Sequence, residues 1–265
     1  MLACLGAAGA PSLAADVSGA PAPAARIRRL EPPEQGFFSK RLDYQGIPIK
    51  AHEAVVDEAL LAARDRLATL LANLPVVVSN LAAAGVELHI IGRDQVTTDL
   101  PEWRQDKGHP IWEPTYNGQT RDERTRGMGG RLTSCGEENL LRLERDRYRG
   151  RDICLHEFAH SIRNFGVTRE VRDRFDDCYR ASLGHGLWAG AYAGSNRDEF
   201  FAELTMWYFG THGDLGMKGA KPADGAAGLR EYDPEAFALF DEFYSGRMPG
   251  SRAVRQPATR GGRGG

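Results

Sequence analysis

The spacing of apolar side chains predicts a helix and then a strand in the first half of the chain. Residues 53–74 carry apolar side chains at the intervals of an amphipathic helix: Val55, Val56, Leu60, Leu61, Leu67, Leu70 and Leu71. Pro75 is expected to end or reset that helix. Residues 86–92 alternate between polar and apolar positions and are rich in branched side chains, which predicts a strand closed by a glycine turn.

The second half of the chain is predicted to be mostly helical. Residues 99–127 are polar and dotted with Pro, Gly and Trp, which predicts a long, irregular and functional loop. A short strand is predicted over 129–135. Four helical stretches follow, at 151–165, 168–183, 197–209 and 233–244, the last with Asp233 as N-cap and Pro234 at its first position. Strands early and helices late predict an α+β fold.

Composition places the chain among ordinary globular proteins. It has 265 residues, of which 42% are hydrophobic and 26% charged, so we expect one packed domain, over residues 46–250. The 34 basic and 36 acidic residues leave a formal charge of -2. Such a balance provides no overall field for nucleic acid or an anionic membrane, and no apolar run is long enough for a membrane span. The partner must therefore be inferred from a site.

The two ends of the chain differ from its centre. Residues 1–15 form an apolar run of small residues that closes on an Ala-x-Ala pattern, which predicts a signal peptide and a secreted or periplasmic protein. The basic residues that normally precede such a run are missing, and the alternative is an Ala-rich leader. Residues 16–45 are interpreted as an Ala/Pro-rich linker and residues 251–265 as a flexible basic tail.

A His-Glu-x-x-His motif lies within the helical pattern of residues 151–165. Because residues four apart share one helical face, His156 and His160 can point at a single metal ion while Glu157 reaches the water beside it. The neighbouring apolar residues would form the buried back of the same helix. The alternative is two helix histidines with ordinary hydrogen bonds.

A catalytic zinc ion needs a third protein ligand and an open position. Metzincins carry a glycine three residues and a histidine six residues after the second histidine, but Arg163 and Gly166 stand there, which excludes that class. Downstream, Glu199 and Glu203 lie four residues apart on one predicted helical face. We assign Glu199 as the ligand and Glu203 as the partner of a ligand histidine. Spacing alone permits the reverse, or an amphipathic helix with surface acids.

These motifs resemble the catalytic domain of the anthrax lethal factor family. The resemblance covers residues 46–248, and its specific part is His-Glu-Phe-Ala-His followed by Tyr-x-x-x-x-x-x-Glu-Phe-Phe-Ala-Glu. It implies a gluzincin metallopeptidase with a zincin-like fold: a small sheet, an active-site helix and a helical C-terminal lobe. The implied roles are Zn²⁺ ligands His156, His160 and Glu199, general base Glu157, transition-state group Tyr192, and Glu203 as support for a ligand. The toxin's receptor-binding and docking regions are outside the resemblance, so its host entry and substrate are not inferred.

The predicted activity is hydrolysis of a peptide or protein substrate by a metal-activated water. Glu157 would move the proton and Tyr192 would donate to the developing oxyanion; Tyr192 as a packed aromatic residue is the alternative. A zinc hydrolase of a non-peptide amide remains open, as does a non-catalytic module that keeps zinc for structure. The cleaved bond and the oligomeric state are left open.

The cysteines and glycines yield two further expectations. Cys154 and Cys178 lie twelve residues either side of Gly166, and a turn there would bring them level, which predicts a disulfide; two buried free thiols are the alternative. The segment 129–131, Gly-Gly-Arg, is either an edge strand that pairs with an extended substrate or a plain turn. The remaining histidines are expected to be structural: His52, His89, His109, His185 and His212.

Overall fold

A computed structural model describes residues 26–212 and 221–249. The strands are β1 (Arg28–Glu34), β2 (Phe38–Tyr44), β3 (Ile47–Ala51), β4 (Glu87–Ile91), β5 (Gly127–Met128) and β6 (Leu132–Gly136). The helices are α1 (Asp57–Leu71), α2 (Pro75–Ala83), α3 (Arg121–Arg124), α4 (Glu137–Leu140), α5 (Ile153–Ser161), α6 (Arg169–Gly184), α7 (Arg197–Tyr208), α8 (Gly225–Tyr232) and α9 (Pro234–Tyr244). The predicted signal peptide, residues 16–25 of the predicted linker and the predicted tail lie outside the described residues.

The strands form one six-stranded mixed sheet in the order β1-β2-β3-β4-β6-β5. β3, β4 and β6 are parallel, while β1, β2 and β5 pair antiparallel with their neighbours. Parallel neighbours need a crossover, and the α1–α2 pair supplies it between β3 and β4. β5 therefore lies at the edge of the sheet, beside β6 and away from β1.

The main core lies between one face of the sheet and the helices. Ile49 of β3, Leu88 of β4 and Leu67 of α1 are fully buried there, and burial of each such side chain stabilises the fold by about 1.5–3 kcal/mol. A smaller cluster covers the opposite face, where Phe38 and Leu100 pack together with partly buried Trp103. The sheet is therefore covered on both faces next to β4.

The predicted α+β, zincin-like architecture is confirmed by a small sheet followed by a helical C-terminal half. The strand expected over 86–92 is β4, and the strand expected over 129–135 is β6. Pro75 begins a new helix, α2, as one of the two expectations for it. The four predicted later helices correspond to α5, α6, α7 and α9, with Asp233 accepting a hydrogen bond from Ala236 N.

The predicted linker over 16–45 is wrong from residue 26 onward, because β1 and β2 both lie there. The hydropathy of β2 does not show its buried positions, because one of them holds a lysine. Phe38, Lys40 and Leu42 are all buried. Lys40 is buried along its stem while its ammonium donates to Asp57 Oδ1 at 2.7 Å. β1 is mostly exposed and contains two prolines, which suits an edge strand.

The segment 99–127 is long, as predicted, but partly helical. A 3-10 helix, Pro101–Asp106, and α3 interrupt it. Arg121 joins its parts: its guanidinium donates to Asp106 Oδ2 at 2.5 and 2.8 Å and to Tyr116 Oη at 2.8 Å, and it lies 3.9 Å from the Trp103 ring. These charge-assisted and cation–π contacts fix a loop that has little apolar core of its own.

The predicted Cys154–Cys178 disulfide is wrong. Cys154 pairs with Cys135, whose Cα lies 5.0 Å away, and Cys178 is a free thiol. Cys154 is on the face of α5 that packs on β6, so its side chain points at the sheet, whereas Cys178 lies beside α9 residues such as Leu239. Local spacing around Gly166 could not show which face of α5 met the sheet. The disulfide ties α5 directly to β6.

Among the described residues, we find no helix with both the length and the apolar character that crossing a membrane requires.

Candidate metal centre and active site

Helix α5 carries the His-Glu-x-x-His motif and is fixed at its N-terminus. Asp152 caps the helix by accepting a hydrogen bond from Leu155 N at 3.0 Å, and its other oxygen accepts from Arg66 Nε at 2.5 Å. Leu155 and Phe158 are buried in the core behind the helix. The opposite face, with the two histidines, opens toward a cavity.

Helix α7 carries the two glutamates and packs directly against α5. Asn196 caps it, since its Oδ1 accepts from Asp198 N at 2.9 Å and from Glu199 N at 3.0 Å. Phe200 and Trp207 are buried behind the helix. Glu199 and Glu203, one turn apart, both face α5.

The two helices bring three ligand-type atoms together. His156 Nε2 lies 3.2 Å from His160 Nε2 and 3.1 Å from Glu199 Oε2, and His160 Nε2 lies 3.6 Å from the same oxygen. Ligands about 2.0–2.1 Å from a tetrahedral zinc ion would be roughly 3.3–3.4 Å apart. The triangle therefore has the dimensions of one face of such a site.

Glu199 Oε2 provides an independent test of that fit. The atom is buried and makes no hydrogen bond of acceptable geometry with any described residue, although an unsatisfied buried carboxylate oxygen is costly. It faces two imidazole nitrogens that could hold a proton or a metal ion. The donor set of two imidazoles and one carboxylate fits a divalent metal such as zinc.

Glu203 lies on the other side of His156. Its Oε1 is 3.0 Å from His156 Nδ1 and accepts a hydrogen bond from Arg151 Nη2 at 2.6 Å. A carboxylate at the far nitrogen fixes the tautomer and orientation of a metal-ligating imidazole. Glu199 therefore lies near Nε2 of both histidines, whereas Glu203 lies near Nδ1 of His156.

The charges of Glu199 and Glu203 favour a positive charge at His156. Burial lowers the pKa of His156, but Glu199 and Glu203 outweigh burial and raise that pKa to about 10. For Glu199, burial raises the pKa, but the two histidines outweigh burial and lower it well below its ordinary value. The carboxylates and imidazoles therefore compete for protons in a buried space, and a bound cation there would balance the negative charge of the carboxylates.

Glu157 is the third member of the cluster that could hold a metal ion, together with the two histidines. It is partly buried and lines the cavity. Burial, assisted by the charges of Glu199 and Glu203, raises the pKa of Glu157 against the opposing effect of the histidines. A carboxyl group with a raised pKa beside a metal site is suited to proton transfer.

Strand β5 passes close to α5 because glycines replace side chains there. A Cβ on Gly127 would lie 3.1 Å from Glu157 Oε1, and one on Gly129 would lie 2.8 Å from His160 Cβ. Both glycines line the cavity, with Met128 between them. Residues 129–131 form the turn into β6, which is the second of the two alternatives given for them, and the edge strand is Gly127–Met128.

Tyr192 lies in a short 3-10 helix just before α7. Its ring is 6.4 Å from the His156 ring with 24° between the planes, and 39% of the residue is exposed. Burial of the hydroxyl, with the nearby charge of Glu199, raises the pKa of Tyr192 well above its ordinary value. Tyr192 thus lies partly exposed at the edge of the cavity and is not a buried core residue.

The cavity has a volume of about 500 Å³ and contains every predicted site residue. It also contains residues that were not predicted, such as Arg151, Arg124 and Tyr116. Arg151 lies two residues before α5, and its proximity to the motif is the one sequence signal for it. Arg124 and Tyr116 belong to the long loop, whose function was predicted but whose position over the site depends on tertiary contacts.

Comparisons with known proteins agree on the fold alone. No protein-family model and no curated protein sequence matches the chain. A solved structure that matches is the Pro-Pro endopeptidase PPEP-2 from Paenibacillus alvei, with a TM-score of 0.54 and 18% identity. The match covers 77% of this chain and 98% of that one. The similarity is one of fold, and it extends over nearly the whole of the neighbouring enzyme.

Proposed function

We propose that this protein is a zinc-dependent peptidase, with His156, His160 and Glu199 as metal ligands. The observation that carries the proposal is the triangle of His156 Nε2, His160 Nε2 and Glu199 Oε2, with sides of 3.1–3.6 Å, at the base of an open cavity. A bound zinc ion would polarise the carbonyl of the scissile bond and acidify a water molecule.

Glu157 is the proposed general base. Its carboxylate lines the cavity next to both histidines, where it would take a proton from the attacking water and deliver it to the leaving nitrogen. Gly127 leaves room for this carboxylate, because a side chain at that position would contact Glu157 Oε1. The base is therefore held between α5 and β5.

Tyr192 is the proposed donor to the oxyanion that develops on the scissile carbonyl. The partly exposed ring lies on the cavity wall beside His156, and its raised pKa keeps the hydroxyl protonated at neutral pH. A donor placed in advance at such a position stabilises the transition state more than the ground state. We expect Tyr192→Phe to lower kcat with little change in KM.

The edge of β5 favours a peptide as substrate. Gly127, Met128 and Gly129 line the cavity, and no described strand pairs with the outer edge of β5. An extended peptide can add to such an edge through main-chain hydrogen bonds. The fold of a Pro-Pro endopeptidase supports the same choice over a non-peptide amide; the resemblance to the lethal factor family rests on the sequence motifs alone.

Export from the cytoplasm is part of the proposal. The buried Cys135–Cys154 disulfide joins a core strand to the metal-binding helix, and structural disulfides persist in oxidising compartments. This supports the secreted or periplasmic location predicted from residues 1–15. A peptidase there would act on extracellular peptides or proteins.

The proposal is tested by assaying zinc-loaded protein against a mixed-sequence library of quenched peptides. Glu157→Gln should keep zinc and lose about 10²–10⁴-fold in turnover, whereas Glu53→Gln, at an exposed position outside the cavity, should match the unaltered protein. Zinc binding without hydrolysis of any peptide or muropeptide would favour the structural zinc module. Cleavage of muropeptides alone would favour the non-peptide hydrolase.

A further inference from the structure

Two arginines line the cavity, Arg151 and Arg124, and a third, Arg163, contacts the cavity residue Asp198. Arg151 donates to Glu203 at 2.6 Å, and Arg163 donates to Asp198 at 2.7 Å. Ion pairs of this kind fix the surrounding structure and leave little charge for a ligand. Their guanidinium groups are committed to holding α5, α7 and the loop before α5 in place.

Arg124 lines the same cavity and differs from these residues. Among the residues that the structure describes, no carboxylate forms an ion pair with it; its one side-chain hydrogen bond runs from Nε to the Thr115 carbonyl, at 3.1 Å. A guanidinium has five N–H donors, so the two Nη groups keep theirs for a ligand. The residue is half-buried, which limits the screening of its charge by water.

The position of Arg124 is fixed before any ligand arrives. It ends α3, which has a capping box: Thr120 N donates to Glu123 Oε2 at 2.8 Å, and Glu123 N donates to Thr120 Oγ1 at 3.3 Å. Arg121, the first residue of α3, is held in place by its contacts with Asp106 and Trp103. Binding to a pre-positioned guanidinium costs less conformational entropy than binding to a mobile one.

Arg124 lies at the reacting end of the cavity. Thr125 and Gly127, the next cavity-lining residues along the chain, lead directly into edge strand β5. The charge of Arg124 also acts on Tyr192, where it opposes the effect of burial on the hydroxyl. A peptide that extends along β5 past Tyr192 would therefore bring its side chains or its terminus near Arg124.

We propose that Arg124 selects substrates that carry a carboxylate close to the scissile bond. The proposal rests on the peptidase function proposed above and names a substrate class for that site. The carboxylate is supplied either by an aspartate or glutamate side chain or by the C-terminus of the peptide. Two charge-assisted hydrogen bonds to a half-buried guanidinium would favour the acidic substrate roughly 10- to 100-fold in kcat/KM.

The test compares paired peptides that differ by one Asp-to-Asn change at each of three positions on either side of the cleaved bond, made with free and amidated C-termini. The unaltered protein should prefer Asp at one or two positions by roughly 10- to 100-fold. Arg124→Gln should abolish that preference, Arg124→Lys should keep part of it, and Arg124→Glu should prefer Lys there. Arg104→Gln is the matched control, since Arg104 is exposed on the same loop and outside the cavity.

Binding of the same peptides to the Glu157→Gln variant provides a readout that does not need catalysis. Its Kd should be lower for the Asp peptide, and the difference should vanish when Arg124→Gln is added. A preference seen only with free C-termini identifies the terminus as the source of the carboxylate. Equal Kd and kcat/KM for Asp and Asn peptides, with free or amidated ends, would overturn the inference while the peptidase function stood. Failure to cleave any peptide would count against the peptidase function, and the Kd values would still decide on Arg124.

Discussion

Two histidines in this protein are each buried between two glutamates, yet only one of them is in a candidate metal site. His156 has Glu199 Oε2 at 3.1 Å from Nε2 and Glu203 Oε1 at 3.0 Å from Nδ1. His89, on β4, has Glu87 Oε2 at 2.9 Å from Nε2 and Glu102 Oε1 at 2.6 Å from Nδ1. A list of neighbours would not separate the two histidines.

The difference lies in what else approaches each ring. His156 shares its Nε2 environment with a second imidazole, 3.2 Å away, and the pair opens onto the cavity. His89 is fully buried and lines none of the described cavities. Lys50 Nζ completes its cluster by contacting Glu87 and Glu34, each at 2.6 Å.

Buried polar atoms without a hydrogen bond occur in both clusters: Glu199 Oε2, Glu203 Oε2 and His156 Nδ1 in the first, and Glu102 Oε2 in the second. In the first cluster, Glu199 Oε2 faces both imidazoles; in the second, the oxygen of Glu102 that faces His89 is Oε1, which is hydrogen-bonded. A carboxylate–histidine–carboxylate array is thus either a metal site or a structural ion cluster. Convergence of a third donor on an open cavity distinguishes them.

The largest expected effect separates the two clusters by metal affinity. Glu199→Ala removes a proposed ligand and should weaken zinc binding by more than about 100-fold, beyond the 10–100-fold typical of a residue that only orients a ligand. Glu102→Ala removes the carboxylate at Nδ1 of His89 and should leave zinc affinity unchanged. Competition with a chromophoric chelator measures both values. Equal affinities in the two variants would remove the distinction between the clusters.

A second prediction concerns how the cluster around His156 is held in the fold. The disulfide closes a loop of 19 residues beside His156, so replacing Cys135 and Cys154 by Ala should lower the free energy of unfolding by about 3 kcal/mol. Cys178→Ala, at the free half-buried thiol, should change it by less than about 1 kcal/mol. Urea unfolding under non-reducing conditions measures both. Similar losses in the two variants would contradict the assigned pairing.

A third prediction compares the supporting carboxylates. Glu203→Gln should weaken zinc binding by about 10–100-fold, because the amide orients His156 less well and contributes no charge. Glu87→Gln replaces the carboxylate at Nε2 of His89 by an amide and should leave zinc affinity as it was. An unchanged affinity in Glu203→Gln would show that His156 needs no carboxylate at Nδ1.

The smallest expected effect is a pH dependence specific to the His89 cluster. Burial lowers the pKa of His89, but Glu102 and Glu87 outweigh burial and raise it. The stabilisation of the folded state by protonated His89 is therefore complete below about pH 6.5, and it is lost as the pH rises through the raised pKa of His89. Burial raises the pKa of Glu87, but His89 and Lys50 lower it to about 2, so the contribution of Glu87 is lost only as the pH falls from about 4.5 toward 2.

His89→Gln tests this window. The free energy of unfolding of the unaltered protein should exceed that of the variant most between about pH 4.5 and 6.5, and the gap should narrow at higher pH. Urea unfolding at a series of pH values measures the gap. A gap that stays constant from pH 5 to pH 9 would show that His89 is buried in its neutral form.

Local sequence patterns predicted the helices of the site because helical spacing is local information. The positions of His156 and His160 on one face of α5, and of Glu199 and Glu203 on one face of α7, follow from the 3.6-residue repeat. Their convergence did not follow from the repeat. It is inferred from the chemistry of zinc and from a family resemblance, and in the structure Glu199 and Glu203 lie 3.1 and 3.0 Å from the two nitrogens of His156.

Features that depend on contacts between distant segments were missed or misassigned. The sequence predicts a linker at β2 because a lysine, Lys40, occupies one of the buried positions of this strand. The ion pair between Lys40 and Asp57 is visible only in the fold. The sequence does not identify Cys135 as the partner of Cys154, because tertiary packing decides which face of α5 contacts β6. Arg124 was missed for the same reason, since its loop folds over the site through Arg121.

The central claim is that His156, His160 and Glu199 bind one zinc ion, and anomalous scattering at the zinc edge from a zinc-soaked crystal tests it most directly. We predict one strong peak about 2.0–2.2 Å from Nε2 of each histidine and from a carboxylate oxygen of Glu199, with no peak at His89. No peak between the two histidines at saturating zinc, or a peak there that Glu199 does not contact, would contradict the account.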